Sequence, residues 1–120
     1  MYGLPLNTDV SFMVNQRLIQ VCFGQNDLIL KFDGTEYVSI LVTSAIGCIS
    51  VEGACRKVNS SKEAASFVLG LLGMLIVAVQ VLPEGTLSIG FETGEQIHLY
   101  DDSRQFESYT IEHAGKTIVV

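Results

Sequence analysis

The sequence predicts an α+β fold that is mainly β, with two pseudo-repeated antiparallel β units forming a sandwich or a partly open barrel and one central helix at about residues 61–72. Three observations lead to this prediction. Segments on both sides of the middle of the chain alternate apolar and polar residues, as half-buried strands do. The two halves match each other in this pattern, which is typical of a duplicated unit. Between them lies Ser60–Leu82, whose periodicity changes from helical to strand-like partway along.

This apolar stretch is about long enough to cross a bilayer, since Ala64–Leu82 contains no formally charged residue. Gly70, Gly73 and Gln80 interrupt it, which counts against a membrane span. The apolar residues before the second glycine recur at the spacing of one helical stripe: Ala64, Phe67, Val68, Leu71 and Leu72. β-Branched residues dominate Met74–Leu82, which predicts a central strand buried on both faces. The stretch therefore predicts a helix followed by a strand.

The ends of these two elements carry local signals. Ser60-x-x-Glu63 forms a capping box, in which the Ser60 hydroxyl accepts a hydrogen bond from the Glu63 amide. Gly73 is placed to take the left-handed conformation that ends a helix. Pro83–Gly85 then closes the strand as a turn.

The remaining strands are bounded by turn residues, among them Gly24–Asp27, Asp33-Gly34 and Thr93-Gly94. The residues before Asp9 predict an irregular arm. The predicted strands are Val10–Val14, Arg17–Phe23, Leu28–Phe32, Tyr37–Val42, Ile49–Glu52, a short edge piece at Arg56–Asn59, Thr86–Glu92, Gln96–Tyr100, Glu107–Glu112 and Thr117–Val120.

The pseudo-repeat is a position-by-position match without gaps over its best part. One constant interval separates the members of each matching pair: Leu28 and Leu87, Leu30 and Ile89, Phe32 and Phe91, Glu36 and Glu95, Val38 and Ile97, Ile40 and Leu99. Ile49 and Val51 match Tyr109 and Ile111 at an interval one residue longer. The pattern predicts a single domain over residues 1–120, with halves 17–58 and 74–120 joined by the helix.

The composition argues against several classes of protein. A hydrophobic content of 48% with only 17% charged residues argues against disorder. The net charge of −6 argues against direct binding to a nucleic-acid backbone and is compatible with a basic protein partner. Cys22, Cys48 and Cys55 have no C-x-x-C spacing and indicate neither a disulfide framework nor a zinc site. The first residues lack the features of a signal peptide, which predicts a cytoplasmic protein.

No set of residues predicts catalysis, a metal site or a cofactor. His98 and His113 are interpreted as surface residues, and no metal-binding motif contains them. A triad of Ser103, His98 and Asp101 lacks the strained turn that activates a serine. An enzyme stays open as a hypothesis only if both histidines and an acidic residue converge in one cleft.

Acidic residues are concentrated after the helix, because Glu84–Val120 carries most of the net charge of −6. Aromatic residues flank the acidic pair Asp101-Asp102. Acidic groups around aromatic anchors suit an interface with a basic partner, and a solvated surface is the alternative. The predicted contact residues are Glu95, Asp101, Asp102, Glu107 and Tyr109.

Two segments carry a resemblance to a known family. Gly85–Ile111 contains a strand ending in Phe-acid-x-Gly, an Asp-Asp-Ser connection and an aromatic-Glu-Ser-aromatic-x-Ile strand, and Gly-Lys-x-Ile-Val follows it. Arg17–Asp33 resembles the first hairpin of the same family. These are small bacterial proteins similar to immunity proteins of toxin systems, including contact-dependent growth inhibition. Leu41–Lys62 does not align with that family, and partner specificity would lie there.

The resemblance implies a small cytoplasmic immunity protein that binds and occludes a cognate toxin, often a basic C-terminal nuclease domain. It implies no catalytic residue, and we expect no direct contact with nucleic acid or membrane. The alternative is a small-molecule-binding β-barrel or sandwich module, whose cavity would be lined by Phe32 and Phe91. Formation of a homo-oligomer through exposed sheet edges also stays open.

Overall fold

The computed structural model describes Pro5 and residues 7–101 and 108–120. These residues form two antiparallel five-stranded sheets, one α-helix and one short 3-10 turn, Ser11–Met13. The helix α1 is Ser61–Leu69. The strands are β1 Arg17–Phe23, β2 Leu28–Asp33, β3 Val38–Val42, β4 Ile46–Ile49, β5 Cys55–Val58, β6 Ile76–Val81, β7 Leu87–Phe91, β8 Gln96–Leu99, β9 Tyr109–His113 and β10 Lys116–Val119.

The sheets pack face to face as a sandwich, which confirms the predicted fold class. Sheet A has the strand order β1-β2-β3-β9-β10, and sheet B has the order β5-β4-β8-β7-β6. Alternate residues of the inner strands are buried, as expected when one face of each sheet covers the other. Phe32 of sheet A and Phe91 of sheet B meet in this core, with ring centroids 6.5 Å apart.

Each pseudo-repeated unit contributes strands to both sheets. The first unit places β1, β2 and β3 in sheet A and sends the hairpin β4-β5 to sheet B. The second unit places β6, β7 and β8 in sheet B and sends the hairpin β9-β10 to sheet A. The two strand orders become identical when the units are exchanged, so the units are related by an approximate two-fold axis.

This axis passes between Arg17 and Leu75, which form an isolated antiparallel bridge. Two flanking backbone hydrogen bonds match each other at 2.8 Å: Asn15 N–H to the Ile76 carbonyl, and Gly73 N–H to the Leu18 carbonyl. Asn15 and Gly73 both have positive φ, 69° and 86°. The same backbone conformation therefore precedes the first strand of each unit.

The helix belongs to the second unit and has a counterpart in the first. Val68 and Leu71 are buried, and Val10 and Met13 of the N-terminal arm are buried at the equivalent positions. The turn bonds also correspond, since Met13 N–H donates to the Val10 carbonyl at 3.1 Å and Leu71 N–H to the Val68 carbonyl at 3.0 Å. The match between the units thus extends further towards the N-terminus than the predicted halves 17–58 and 74–120.

The helix begins where the capping signal places it and is shorter than predicted. The Ser60 hydroxyl accepts a hydrogen bond of 3.2 Å from the Glu63 amide. The helix ends at Leu69 instead of about residue 72, and a series of turns continues to Gly73. Within the described ranges, no helix has the length and apolar character needed to cross a bilayer.

The prediction that Met74–Leu82 forms a central strand buried on both faces is wrong. The strand is Ile76–Val81, and it lies at the edge of sheet B. Val77 is 53% exposed, and Ala78 and Gln80 are also exposed. An irregularity in pairing with β7 at Val77 turns that side chain outward. A mostly apolar edge strand looks like a central strand in sequence, because composition does not report how many neighbours a strand has.

Two other predicted strands are misplaced. Val10–Val14 contains the 3-10 turn Ser11–Met13 instead of a strand. The strand predicted at Ile49–Glu52 lies at Ile46–Ile49, where all four residues are buried. Val51, a predicted strand residue, is 63% exposed.

The gapless match between the halves is wrong in the second strand of each hairpin. Leu30 pairs with Ile40, and its counterpart Ile89 pairs with Ile97. Ile40 therefore corresponds to Ile97 and not to Leu99. The reason is that β7 and β8 pair across a tighter turn than β2 and β3 do, so every later match at the predicted interval shifts as well.

Candidate functional site

An open cleft of about 320 Å³ lies at the end of sheet A, where β3 begins and β9 ends. Antiparallel pairing brings its walls together, because Ser39 is opposite Glu112 and Val38 is opposite His113. The residues that line it are Glu36, Tyr37, Ser39, Glu112, His113, Ala114 and Gly115. We call it the acidic cleft, since its lining includes two carboxylates and no lysine or arginine.

His113 is fixed in the cleft wall by two contacts. Its Nδ1 atom lies 2.9 Å from the Glu36 Oε1 atom. The Phe12 ring stacks on the imidazole with centroids 3.6 Å apart and an angle of 8° between the planes. The exposed fractions of the His113 and Glu36 side chains are 13% and 28%. His113 is therefore a half-buried residue that orients Glu36, and not the solvent-exposed histidine that the sequence predicted.

The other side chains of the acidic cleft are available to a partner. Tyr37 is 49% exposed, and Glu112 is also exposed. A cationic side chain that enters between Glu36 and Glu112 would meet two carboxylates, and the Tyr37 ring offers a face for apolar or cation–π contact. The arrangement suits recognition of a positively charged surface.

Sequence reasoning missed Glu36 and Tyr37 as site residues. Glu36 and His113 are 77 positions apart in the sequence, so no local pattern links them. Glu36 reaches His113 only because β3 pairs with β9, a contact between the two units. The pairing would follow from the sequence only if the C-terminal hairpin β9-β10 were assigned to sheet A, beside the first unit.

Of the predicted contact residues, the structure describes Glu95, Asp101 and Tyr109, and none of these three lines the acidic cleft. Glu95 is half-buried at the β7–β8 turn. Asp101 is half-buried, and its carboxylate accepts a hydrogen bond of 2.9 Å from the Ser108 hydroxyl. Asp102 and Glu107 lie outside the described residues.

The prediction that Tyr109 contacts a partner at the surface is wrong. Its side chain is only 1% exposed, and it pairs with Val42 inside the sandwich. Burial, and secondarily the charge of Asp101, raise the pKa of the Tyr109 phenol above its ordinary value of 10.0. The sequence correctly indicated that Tyr109 and Ile111 share a face, but that face is the core.

The second histidine lies on the other sheet. His98 is half-buried on β8, and its ring meets the edge of Tyr100 with centroids 6.3 Å apart. Burial lowers the pKa of His98 from its ordinary value of 6.5. His113 is on β9 in sheet A, so the two histidines do not converge in the acidic cleft.

The remaining candidate chemistry lies elsewhere. Cys22 is half-buried, Cys48 is buried and Cys55 is exposed, and all three are free thiols. Across the described part of the chain, no group of three or more His, Cys, Asp or Glu residues is arranged to hold a metal ion. Phe32 and Phe91 are packed into the core, and neither lines the acidic cleft. The small-molecule alternative stays a prediction.

Comparisons of the chain with protein-family models, with curated proteins and with solved structures each gave no match.

Proposed function

We propose that this chain is an immunity protein, which neutralises a cognate toxin by binding a basic domain of that toxin. The observation that carries the proposal is the acidic cleft, where Glu36 and Glu112 lie beside the half-exposed ring of Tyr37. The family resemblance implies the same class of partner, often a nuclease with a basic active site.

The charges of the chain suit such a partner both before contact, through long-range attraction, and at contact, through hydrogen bonds. The net charge of −6 attracts a basic domain before contact and would raise the association rate, most strongly at low salt. At contact, Glu36 and Glu112 can each accept hydrogen bonds from arginine or lysine. His113 already holds the Glu36 carboxylate in place, so less conformational freedom is lost on binding.

The mechanism is stoichiometric occlusion. The immunity protein covers the basic surface through which the toxin binds its substrate, and it performs no chemistry itself. Tyr37 provides the apolar anchor of this contact, because aromatic side chains at the centre of an interface contribute much of its binding energy.

A growth-rescue experiment tests the proposal. The chain is expressed together with a candidate basic toxin domain, such as the C-terminal domain of any secreted protein encoded next to its gene, and we expect growth to be restored. The double variant Glu36→Lys/Glu112→Lys should lose the rescue. The double variant Glu52→Lys/Glu84→Lys is the matched control, since both residues are exposed and together they make the same change of charge outside the cleft.

Binding measurements with the same toxin domain separate charge from anchoring. We expect Tyr37→Ala to weaken binding by at least about 1 kcal/mol at any salt concentration. The loss caused by the charge reversals should shrink as salt is added. Reversal of Asp101 and Asp102 in the same assay tests the contacts predicted from sequence. Full rescue by the Glu36→Lys/Glu112→Lys variant would contradict the proposed surface.

A further inference from the structure

The outer face of sheet A, which points away from the core, carries two neighbouring rows of side chains that run across all five strands. The apolar row is Cys22, Ile29, Leu41, Thr110 and Val119. The charged row is Gln20, Lys31, Ser39, Glu112 and Thr117. Every member of the apolar row is half-buried, although the described residues form no third layer over this face.

The equivalent face of sheet B has a different character. The sheet B residues equivalent to the apolar row are Gln80, Ser88, His98, Gly47 and Lys57. Tyr100 also covers this face, because a Cβ atom at Gly47 would lie 2.5 Å from the Tyr100 hydroxyl. Lys57 Nζ lies 4.7 Å from the centroid of the same ring. The units share a backbone plan, but within the described residues the outer face of sheet A is apolar, whereas that of sheet B is polar and covered by Tyr100.

The sheet A face is complementary to itself. β3 is the middle strand of the sheet, so a two-fold rotation about an axis along β3 places β2 over β9 and β1 over β10 of a second copy. Leu41 then meets Leu41 of the other copy, and Ile29 meets Thr110. In the charged row, Lys31 meets Glu112 twice, once in each direction.

We propose that the outer face of sheet A binds a second copy of this chain and forms a symmetric homodimer with the two-fold axis along β3. The charges favour a second copy over a basic partner at this face, because Lys31 would repel a basic partner and is paired in the symmetric arrangement. The proposal does not depend on the identity of a toxin.

The size of the face predicts a weak dimer. Five strands with their usual spacing span about 24 Å, and five residues along each strand span about 17 Å. Such a contact covers only about 400 Å² on each copy, which is below the usual range for specific, stable association. We therefore expect a dissociation constant in the micromolar range or above.

Sedimentation velocity of the purified chain, from low-micromolar to near-millimolar concentration, measures this equilibrium. We expect a concentration-dependent shift from monomer to dimer. Lys31→Glu and Glu112→Lys should each weaken the dimer at least about tenfold, because each places like charges opposite one another. The double variant Lys31→Glu/Glu112→Lys restores opposite charges and should recover most of the affinity.

Two further variants fix the face and the axis. Leu41→Glu places two carboxylates at the axis and should abolish the dimer, while circular dichroism confirms that the variant is folded. His98→Glu is the matched control on the outer face of sheet B and should leave the dimer unchanged. A wild-type chain that stays monomeric at all concentrations would overturn the proposal. Failure of the double variant to recover, or an equal effect of the control, would also overturn it.

The outcome is distinguishable from that of the rescue experiment. Glu112 contributes to both surfaces, but Lys31 and Leu41 do not line the acidic cleft. Loss of the dimer in Leu41→Glu with normal rescue would support this proposal separately from the immunity function. A monomeric wild type that still rescues growth would overturn the dimer alone.

Discussion

The hydroxyl group of Tyr109 is buried, and within the described part of the chain it has no hydrogen-bond partner. A buried polar group without a partner costs about 1–3 kcal/mol. Tyr109→Phe removes the hydroxyl and keeps the ring, so we expect the free energy of unfolding to rise by about 1 kcal/mol. Tyr109→Ala would instead leave a large cavity and should lower it by about 3–5 kcal/mol.

The pH dependence gives an independent check on the same group. Burial and the Asp101 charge raise the pKa of Tyr109 in the folded chain above 10.0, its ordinary value. Above that pH the unfolded chain loses the phenol proton first, so rising pH favours unfolding of the wild type. Tyr109→Phe lacks this group, and its advantage over the wild type should therefore grow above pH 10.0.

Urea unfolding followed by circular dichroism, near neutral pH and again above pH 10.0, measures both effects. Near neutral pH the expected gain corresponds to a rise of roughly 3–5 °C in the melting temperature. Toxin binding should stay unchanged, because the side chain does not reach the surface. A Tyr109→Phe variant less stable than the wild type by about 1 kcal/mol would refute the reasoning, because it would mean that the hydroxyl forms a favourable bond.

Three further predictions concern other parts of the fold. Ser60→Ala removes the acceptor for the Glu63 amide, and we expect a loss of about 1 kcal/mol in denaturant unfolding, which Ser60→Asp should largely avoid. Gly73→Ala should lower the free energy of unfolding by about 1–2 kcal/mol, because φ is 86° and any side chain there is strained although the space is open. Gly70 has a right-handed φ, so an equal loss in Gly70→Ala would argue against this cause. His98→Asn should flatten the pH dependence of stability. Because burial lowers the pKa of His98 in the folded chain, protonation favours the unfolded chain, and wild-type stability falls as the pH drops below 6.5. Identical pH profiles for both proteins would contradict the prediction.

The elements that sequence predicts best here are those fixed by local chemistry. The start of α1 follows from Ser60 and Glu63, whose side chains cap the helix wherever it packs. The strand predicted at Leu28–Phe32 is confirmed as Leu28–Asp33, because the alternation of its apolar residues matches the burial of every second side chain. The pseudo-repeat was recognised because both units keep that alternation in β2 and β7.

The errors concern relations between distant segments. The β7–β8 hairpin pairs Ile89 with Ile97, two residues out of step with the gapless match, and no residue type marks that difference. A mostly apolar composition also looks alike whether a strand is central or at an edge, so the edge position of β6 does not follow from its sequence. Two features of the candidate site also depend on how distant segments pair: Tyr109 alternates correctly but points into the core, and Glu36 joins His113 only through pairing between units.

The exchange of hairpins between the units has a consequence for synthesis of the chain. Neither sheet is complete until both units are present, because β4 pairs with β8 and β3 pairs with β9. A nascent chain that has been synthesised as far as the helix still exposes the unpaired edge of β3, which can pair with another chain and cause aggregation. Such long-range pairing slows folding. The growing chain therefore depends on the late arrival of β9 and β10 on sheet A, and we expect stalled or truncated products that lack this hairpin to need chaperones or to be degraded.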